Sequence, residues 1–171
     1  YIMLTVLIES SQKHDAALNA TLDSLKRYPT LDIHTLLITK ENKKELVALL
    51  TSVSDDYVCF LKEGDTLTIH NPKNLSGVLS SHQYSIVGMR YLYREKPKPK
   101  YHPTGAVSLH EEPEFVPLWL YNYIFRRDIF QNAASNSRFA LLHEVYAHLM
   151  TQDTIYYLDD MSLLTSTIVE D

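Results

Sequence analysis

The sequence predicts an α/β domain with a mainly parallel central sheet between two helical layers, a three-layer sandwich. Strand and helix patterns alternate over residues 3–61, the order that lays strands parallel through crossover helices. The strand candidates are unbroken apolar runs, as in strands covered on both faces. The 171 residues, 45% apolar and 22% charged, suffice for one domain with its own core, taken as residues 1–171.

Met3 to Ile8 is aliphatic and β-branched and reads as the first strand. Ser10 and Ser11 offer a helix cap. Ala17, Leu18, Thr21, Leu22 and Leu25 then recur at helical spacing until Pro29 ends the pattern. Leu31 to Thr39 reads as a second strand, Glu41 to Leu50 as a short helix and Tyr57 to Leu61 as a third strand. Asn71 to Ser81 predicts a helix and Tyr84 to Tyr93 a strand. The prolines between Arg94 and Lys100 remove donors and fix φ, so that run predicts an exposed loop. Ala106 to Leu109 reads as a returning strand and Glu111 to Glu114 as a solvated break. Leu118 to Arg126 predicts an aromatic strand with Trp119, Tyr121 and Tyr123 on one face. Asp128 to Asn132 predicts a helical turn, Leu141 to Thr151 a helix and Thr154 to Leu158 a last strand.

Several function classes fall away. A net charge of -5 gives no basic surplus for nucleic acid phosphates. No apolar stretch approaches the ~18 residues of a membrane span. The single cysteine, Cys59, sits in an apolar run, the pattern of a buried inert thiol in a reducing cytoplasm. Neither G-x-G-x-x-G nor a P-loop occurs, and no G-x-S-x-G elbow. His143 and His148 stand five apart on the expected helix, so their rings diverge by about 140° and cannot share a zinc ion. The chain opens without a start Met and reads as a piece of something longer.

In open parallel sheets, ligands bind beyond the carboxyl ends of the strands. Here those ends carry Glu9-Ser10-Ser11, Thr39-Lys40-Glu41 and Lys62-Glu63-Gly64-Asp65. Two readings of the last segment stay open. It is a ligand-binding acidic cluster, or a plain turn in which Gly64 supplies positive φ and Asp65 a cap.

The run Asp56 to Leu67, with Phe60-Leu61-Lys62-Glu63-Gly64-Asp65 at its centre, resembles the strand that enters the Asp-x-Asp motif of inverting family-2 glycosyltransferases. Trp119 to Arg127, followed by His143-Glu144, is similar to the family's W-x-x-x-F-x-R segment and its later acidic pair at the start of a helix. Leu22-Asp23-Ser24-Leu25 fits the family's usual opening helix. The resemblance implies the GT-A fold and transfer of a sugar from a nucleotide-sugar donor, in bacterial surface polysaccharide or teichoic-acid-type assembly. It implies that Glu144, with His143 beside it, is the catalytic base. Glu9, Ser10, Glu41, Lys62, Glu63 and Asp65 would line the donor site, and Trp119 and Tyr121 would meet a glycan or polyol-phosphate acceptor.

The family holds Mn²⁺ or Mg²⁺ with its Asp-x-Asp carboxylates to neutralise the leaving diphosphate. In this chain Lys62 and Gly64 occupy both Asp positions, and Asp65 alone remains as a metal ligand. Two outcomes follow. Lys62 replaces the metal's charge in a metal-independent transferase, or the domain is catalytically impaired and serves as a binding or scaffold module for a partner or neighbouring domain. The basic run from Arg94 to Lys100 is either a solvated loop or a contact for an anionic lipid carrier, which would place a cytoplasmic protein at the inner face of a membrane.

Overall fold

The computed structural model describes residues 3–11, 15–93 and 102–165. The proline- and lysine-rich run at 94–100 lies outside them. The first half builds the parallel core: β1 (Met3–Glu9), α1 (Asp15–Lys26), β2 (Asp32–Ile38), a 3-10 turn (Lys43–Glu45) leading into α2 (Leu46–Ser52), and β3 (Tyr57–Lys62). Strand β1 lies parallel to both β2 and β3, with Glu9 opposite Ile38 on one side and Lys62 on the other. Val6, Leu7 and Ile8 are all buried, as is every residue from Tyr57 to Leu61. Successive side chains on a strand face opposite ways, so both faces of the sheet are covered. Cys59 is part of this layer, and burial pushes its thiol up to about 12.

The second half adds β4 (Thr66–Ile69), α3 (Pro72–Ser80), β5 (Ile86–Tyr93), β6 (Gly105–Ser108), β7 (Tyr123–Arg126), α4 (Arg138–Leu149) and β8 (Thr154–Thr165). The sheet order is β2-β1-β3-β7-β5-β8-β4, with β6 on β8. Strands β5 and β8 are parallel, and β7 runs antiparallel between β3 and β5. The sheet is therefore mixed, with a parallel core.

Several elements depart from the sequence expectation. Strand β4 follows directly on the turn after β3, where a helix entry at Asn71 was the nearest expected element. The aromatic strand is short: β7 begins only at Tyr123, and residues 117–122 turn instead. Trp119, Tyr121 and Tyr146 each send a polar group to a different partner around that turn, to Asn122, Glu9 and the Pro117 carbonyl. One straight strand could not serve all three. Strand β8 continues well past Leu158. Gly88 pairs with Tyr157 and Arg90 with Ser162, so residues 158–161 bulge out, and the acidic pair Asp159-Asp160 sits in that bulge. Helix α4 starts at Arg138 rather than Leu141, because Ser137 caps it by accepting the Ala140 N–H.

Candidate nucleotide-binding cleft

The segment after β3 is a tight turn. The Asp65 N–H donates to the Lys62 carbonyl at 3.0 Å, and the Lys62 N–H donates back to the Asp65 carboxylate at 3.0 Å. Gly64 sits at φ 93°, a conformation that L side chains avoid. Helix α1 clamps this turn through two buried hydroxyls. Thr21 accepts the Gly64 N–H at 2.9 Å, and Ser24 accepts the Leu67 N–H at 3.2 Å. Asp65 is 1% exposed. Burial raises its pKa, with the Lys62 amide and the Thr165 side chain pulling the other way. The carboxylate that the resemblance offers as a metal or diphosphate contact is thus buried and engaged by the Lys62 N–H.

What faces the strand ends is a cluster built on Glu9. The Tyr121 hydroxyl donates to Glu9 Oε1 at 2.9 Å, and Arg138 Nε lies 3.4 Å from the same oxygen. Two cations lie over the Tyr121 ring, Lys62 Nζ 5.2 Å and Arg138 Cζ 5.7 Å from its centroid. Both distances fall within cation–π range. Burial lowers the Lys62 pKa; Asp65 and Glu9 act against that, and Arg138 adds to it. Burial and the Glu9 charge raise the Tyr121 phenol, so it stays a donor. Beside this cluster Glu63 accepts from Ser10 at 3.2 Å and from Ser11. Glu9, Ser10, Lys62 and Glu63 therefore share one rim, joined by the Glu63 N–H to the Glu9 carbonyl at 2.9 Å.

The other expected site residues lie apart. Glu41 is exposed in the turn after β2, past the residue paired with Glu9. Asn42 closes that turn, accepting from Thr39 N–H and donating to the Leu37 carbonyl. His143 is exposed, and Glu144 lines a separate hollow with Asp128, Gln131 and His148. Glu144 stands six residues after Arg138, about 9 Å further along the helix and round on another side. The expectation that His143 and Glu144 begin the helix is thus corrected: Arg138 holds its first position. Trp119 also leaves the cleft, packing on Tyr91 at 5.4 Å between centroids. Sequence reasoning missed Arg138, although Ser137 was a legible cap signal.

This donor set does not fit a divalent metal. Two cations flank the cluster, and a third positive charge there is repelled. Glu9 and Glu63 already accept from neighbours. Among the described residues, no three of His, Cys, Asp and Glu gather to hold a metal ion. No described helix is long and apolar enough to cross a membrane.

The architecture is the GT-A fold of family-2 glycosyltransferases, so the resemblance read from the sequence holds at the level of fold. Staphylococcus aureus TarS 1–349 in complex with UDP matches with TM-score 0.70 and 14% identity over 97% of this chain and 61% of that one. The same fragment with UDP-GlcNAc matches with TM-score 0.66 and 11% identity, over 99% and 60%. Mycobacterium tuberculosis glucosyl-3-phosphoglycerate synthase, solved with Mn²⁺, UDP and phosphoglyceric acid, matches with TM-score 0.54 and 12% identity, over 99% and 72%. This chain spans about 60% of the TarS fragment's length. No family model and no curated protein sequence matches it.

Proposed function

We propose that this chain binds a nucleotide-sugar at the Glu9, Lys62, Tyr121 and Arg138 cluster without a metal ion, as a catalytically impaired glycosyltransferase-like domain. One observation carries the reading: Arg138 opens α4 and is ion-paired to Glu9, while Glu144, the base that the resemblance implies, lines a separate hollow six residues on. Sugar transfer needs a base to take the acceptor proton. A guanidinium cannot do that, but it suits a diphosphate. Its planar fork grips phosphate oxygens in pairs, and the helix N-terminus behind it favours negative charge. Lys62 supplies a second cation over the Tyr121 ring. Uridine is the proposed base because TarS and the synthase were solved with UDP.

In this reading Ser10 and Glu63 shape the rim of the donor pocket, and the domain serves a neighbouring domain or partner chain. Bacterial surface-polymer assembly in the cytoplasm is the proposed setting, in keeping with the bacterial source of both neighbours. Calorimetric titration with UDP and UDP-GlcNAc, with and without Mn²⁺, tests the site. Heat of binding that Mn²⁺ does not strengthen is expected, with no UDP released from the sugar nucleotide above background. Silence with both nucleotides sinks the proposal, and sustained Mn²⁺-dependent release makes the domain an active transferase instead.

A further inference from the structure

At the end of α4 opposite Arg138 lies a cavity of about 540 Å³. Met150 on its wall stands twelve residues after Arg138, about 18 Å along the helix axis, so this cavity is separate from the cleft. Leu109, Val116, Leu149 and Met150 make apolar walls. Tyr146 adds an aromatic one, its hydroxyl donating to the Pro117 carbonyl at 2.7 Å. Met150 is 87% exposed, a flexible thioether left in solvent beside an open apolar hollow.

Negative charge reaches this cavity from two directions. Asp153 lines it, and Asp153 Oδ2 accepts from the Ser108 hydroxyl at 2.7 Å and the His110 N–H at 3.3 Å. The Ser108 bond, with the His110 N–H, holds the carboxyl below the ordinary aspartate value. Oδ1 meets the Thr154 hydroxyl only at 3.5 Å and keeps capacity for a further donor. Helix α4 ends at Leu149, which brings the negative pole of its dipole to the same place. His148, the basic residue of that last turn, has its pKa lowered by burial and by Arg126. Exposed Glu111 follows on the adjoining turn, and exposed His110 also lines the cavity.

We infer that this cavity binds an organic ammonium ion, a primary amine carried on an arylalkyl body. The volume falls within the roughly 300–1,000 Å³ of small-molecule sites, and apolar walls with a few convergent polar groups are their usual lining. The hydrocarbon leaves water against Leu109, Val116 and Leu149, and an aryl group suits Tyr146 and Met150. The ammonium meets Asp153 and the carbonyl pole of α4. A carboxylate or phosphate on the same body is repelled there, which sets this site apart from the cleft at Arg138. The inference does not depend on nucleotide binding in that cleft.

Met150 supplies the readout. Of the other methionines, Met89 and Met161 are fully buried, so a ¹³C-methyl methionine spectrum, assigned with Met150→Leu, follows the cavity directly. The full chain is titrated at about pH 8, which keeps imidazoles neutral and the amine charged. The probes are 4-phenylbutylamine, 4-phenylbutanol and 4-phenylbutyrate, which share one apolar body. A saturable Met150 shift with the amine is expected, with Kd about 1 mM or tighter. The alcohol binds about tenfold more weakly, and the carboxylate gives no shift. Asp153→Asn keeps an acceptor for Ser108 and His110 but drops the charge. It should weaken the amine about tenfold or more and leave the alcohol unchanged, with circular dichroism confirming the fold. Silence with the amine overturns the inference, as does equal binding of the alcohol or the carboxylate, a comparison that needs no variant. A folded Asp153→Asn chain that binds the amine as tightly as the parent overturns it too. So does a dimer in sedimentation that Met150→Glu abolishes, because a second copy would then cover the cavity.

Discussion

Arg138 and Glu9 meet across the carboxyl ends of the sheet, Nε to Oε1 at 3.4 Å, and the Tyr121 hydroxyl donates to the same oxygen. The partners are 29% and 24% exposed, so water screens the pair, and its worth to stability is at most about 1 kcal/mol. Its consequence is where it puts charge. Arg138→Ala is expected to lower UDP affinity about tenfold or more while moving Tm little, read by calorimetry and thermal melting. Arg138→Lys keeps the charge, loses the fork and falls between. Parental affinity in Arg138→Ala would remove Arg138 from the site.

Asp65 gives the fold a signature in pH. Burial raises its pKa above the ordinary carboxylate value. An acid whose folded pKa exceeds its unfolded one holds its proton more tightly in the native state. Stability therefore declines as pH rises from about 4 through the folded value. Asp65→Asn keeps an acceptor for the Lys62 N–H but cannot ionise, so the stability difference between parent and variant should carry that slope. A difference flat in pH would contradict it. Asp65→Ala deletes the acceptor and is expected to cost about 1–3 kcal/mol in denaturant unfolding.

Thr21 ties α1 to the turn after β3 by accepting the Gly64 N–H at 2.9 Å. Thr21→Val keeps the shape and drops the oxygen. Its expected cost is about 1–2 kcal/mol, softened because the Gly64 N–H also reaches the Ala17 carbonyl at 3.2 Å. Faster amide exchange at Gly64 would mark the loss locally, and unchanged exchange would argue against the clamp.

Gly88 pairs with Tyr157 across β5 and β8. A Cβ at Gly88 would come within 2.5 Å of the Tyr157 ring, closer than atoms pack. Gly88→Ala is expected to destabilise by about 1–3 kcal/mol. It should also disturb the aromatic cavity that Tyr157 lines together with Trp119. Trp119 emission then shifts, and an unshifted spectrum with parental stability would show that the ring steps aside freely.

The parallel core was legible because its strands are both-face-buried runs and its helices have clear punctuation. Met3–Glu9, Asp32–Ile38, Tyr57–Lys62 and Pro72–Ser80 all fall within a few residues of their sequence patterns. Strand β4 was not, since Thr66-Leu67-Thr68-Ile69 shows only two alternations directly behind a turn. The sequence pattern sets the start of α4 three residues late, at Leu141 instead of just behind the cap Ser137, and passes over Arg138 as a site residue. The plain-turn reading of Gly64 and Asp65 has its positive φ in the structure, while the Asp65 carboxylate accepts from the Lys62 N–H of the strand before it and caps no segment after it. No sequence period could show that Tyr121 folds onto Glu9, because that contact joins a turn to a distant strand end.

Cys59 has a practical corollary. Its sulfur is fully enclosed in β3 and its thiol is held protonated far above neutral pH, so alkylating reagents leave it untouched while the fold is intact. A cysteine introduced at exposed Phe139, next to Arg138, would thus take a fluorophore or spin label alone. Distances from the mouth of the cleft could be followed on a single-site background, without first engineering the native thiol away.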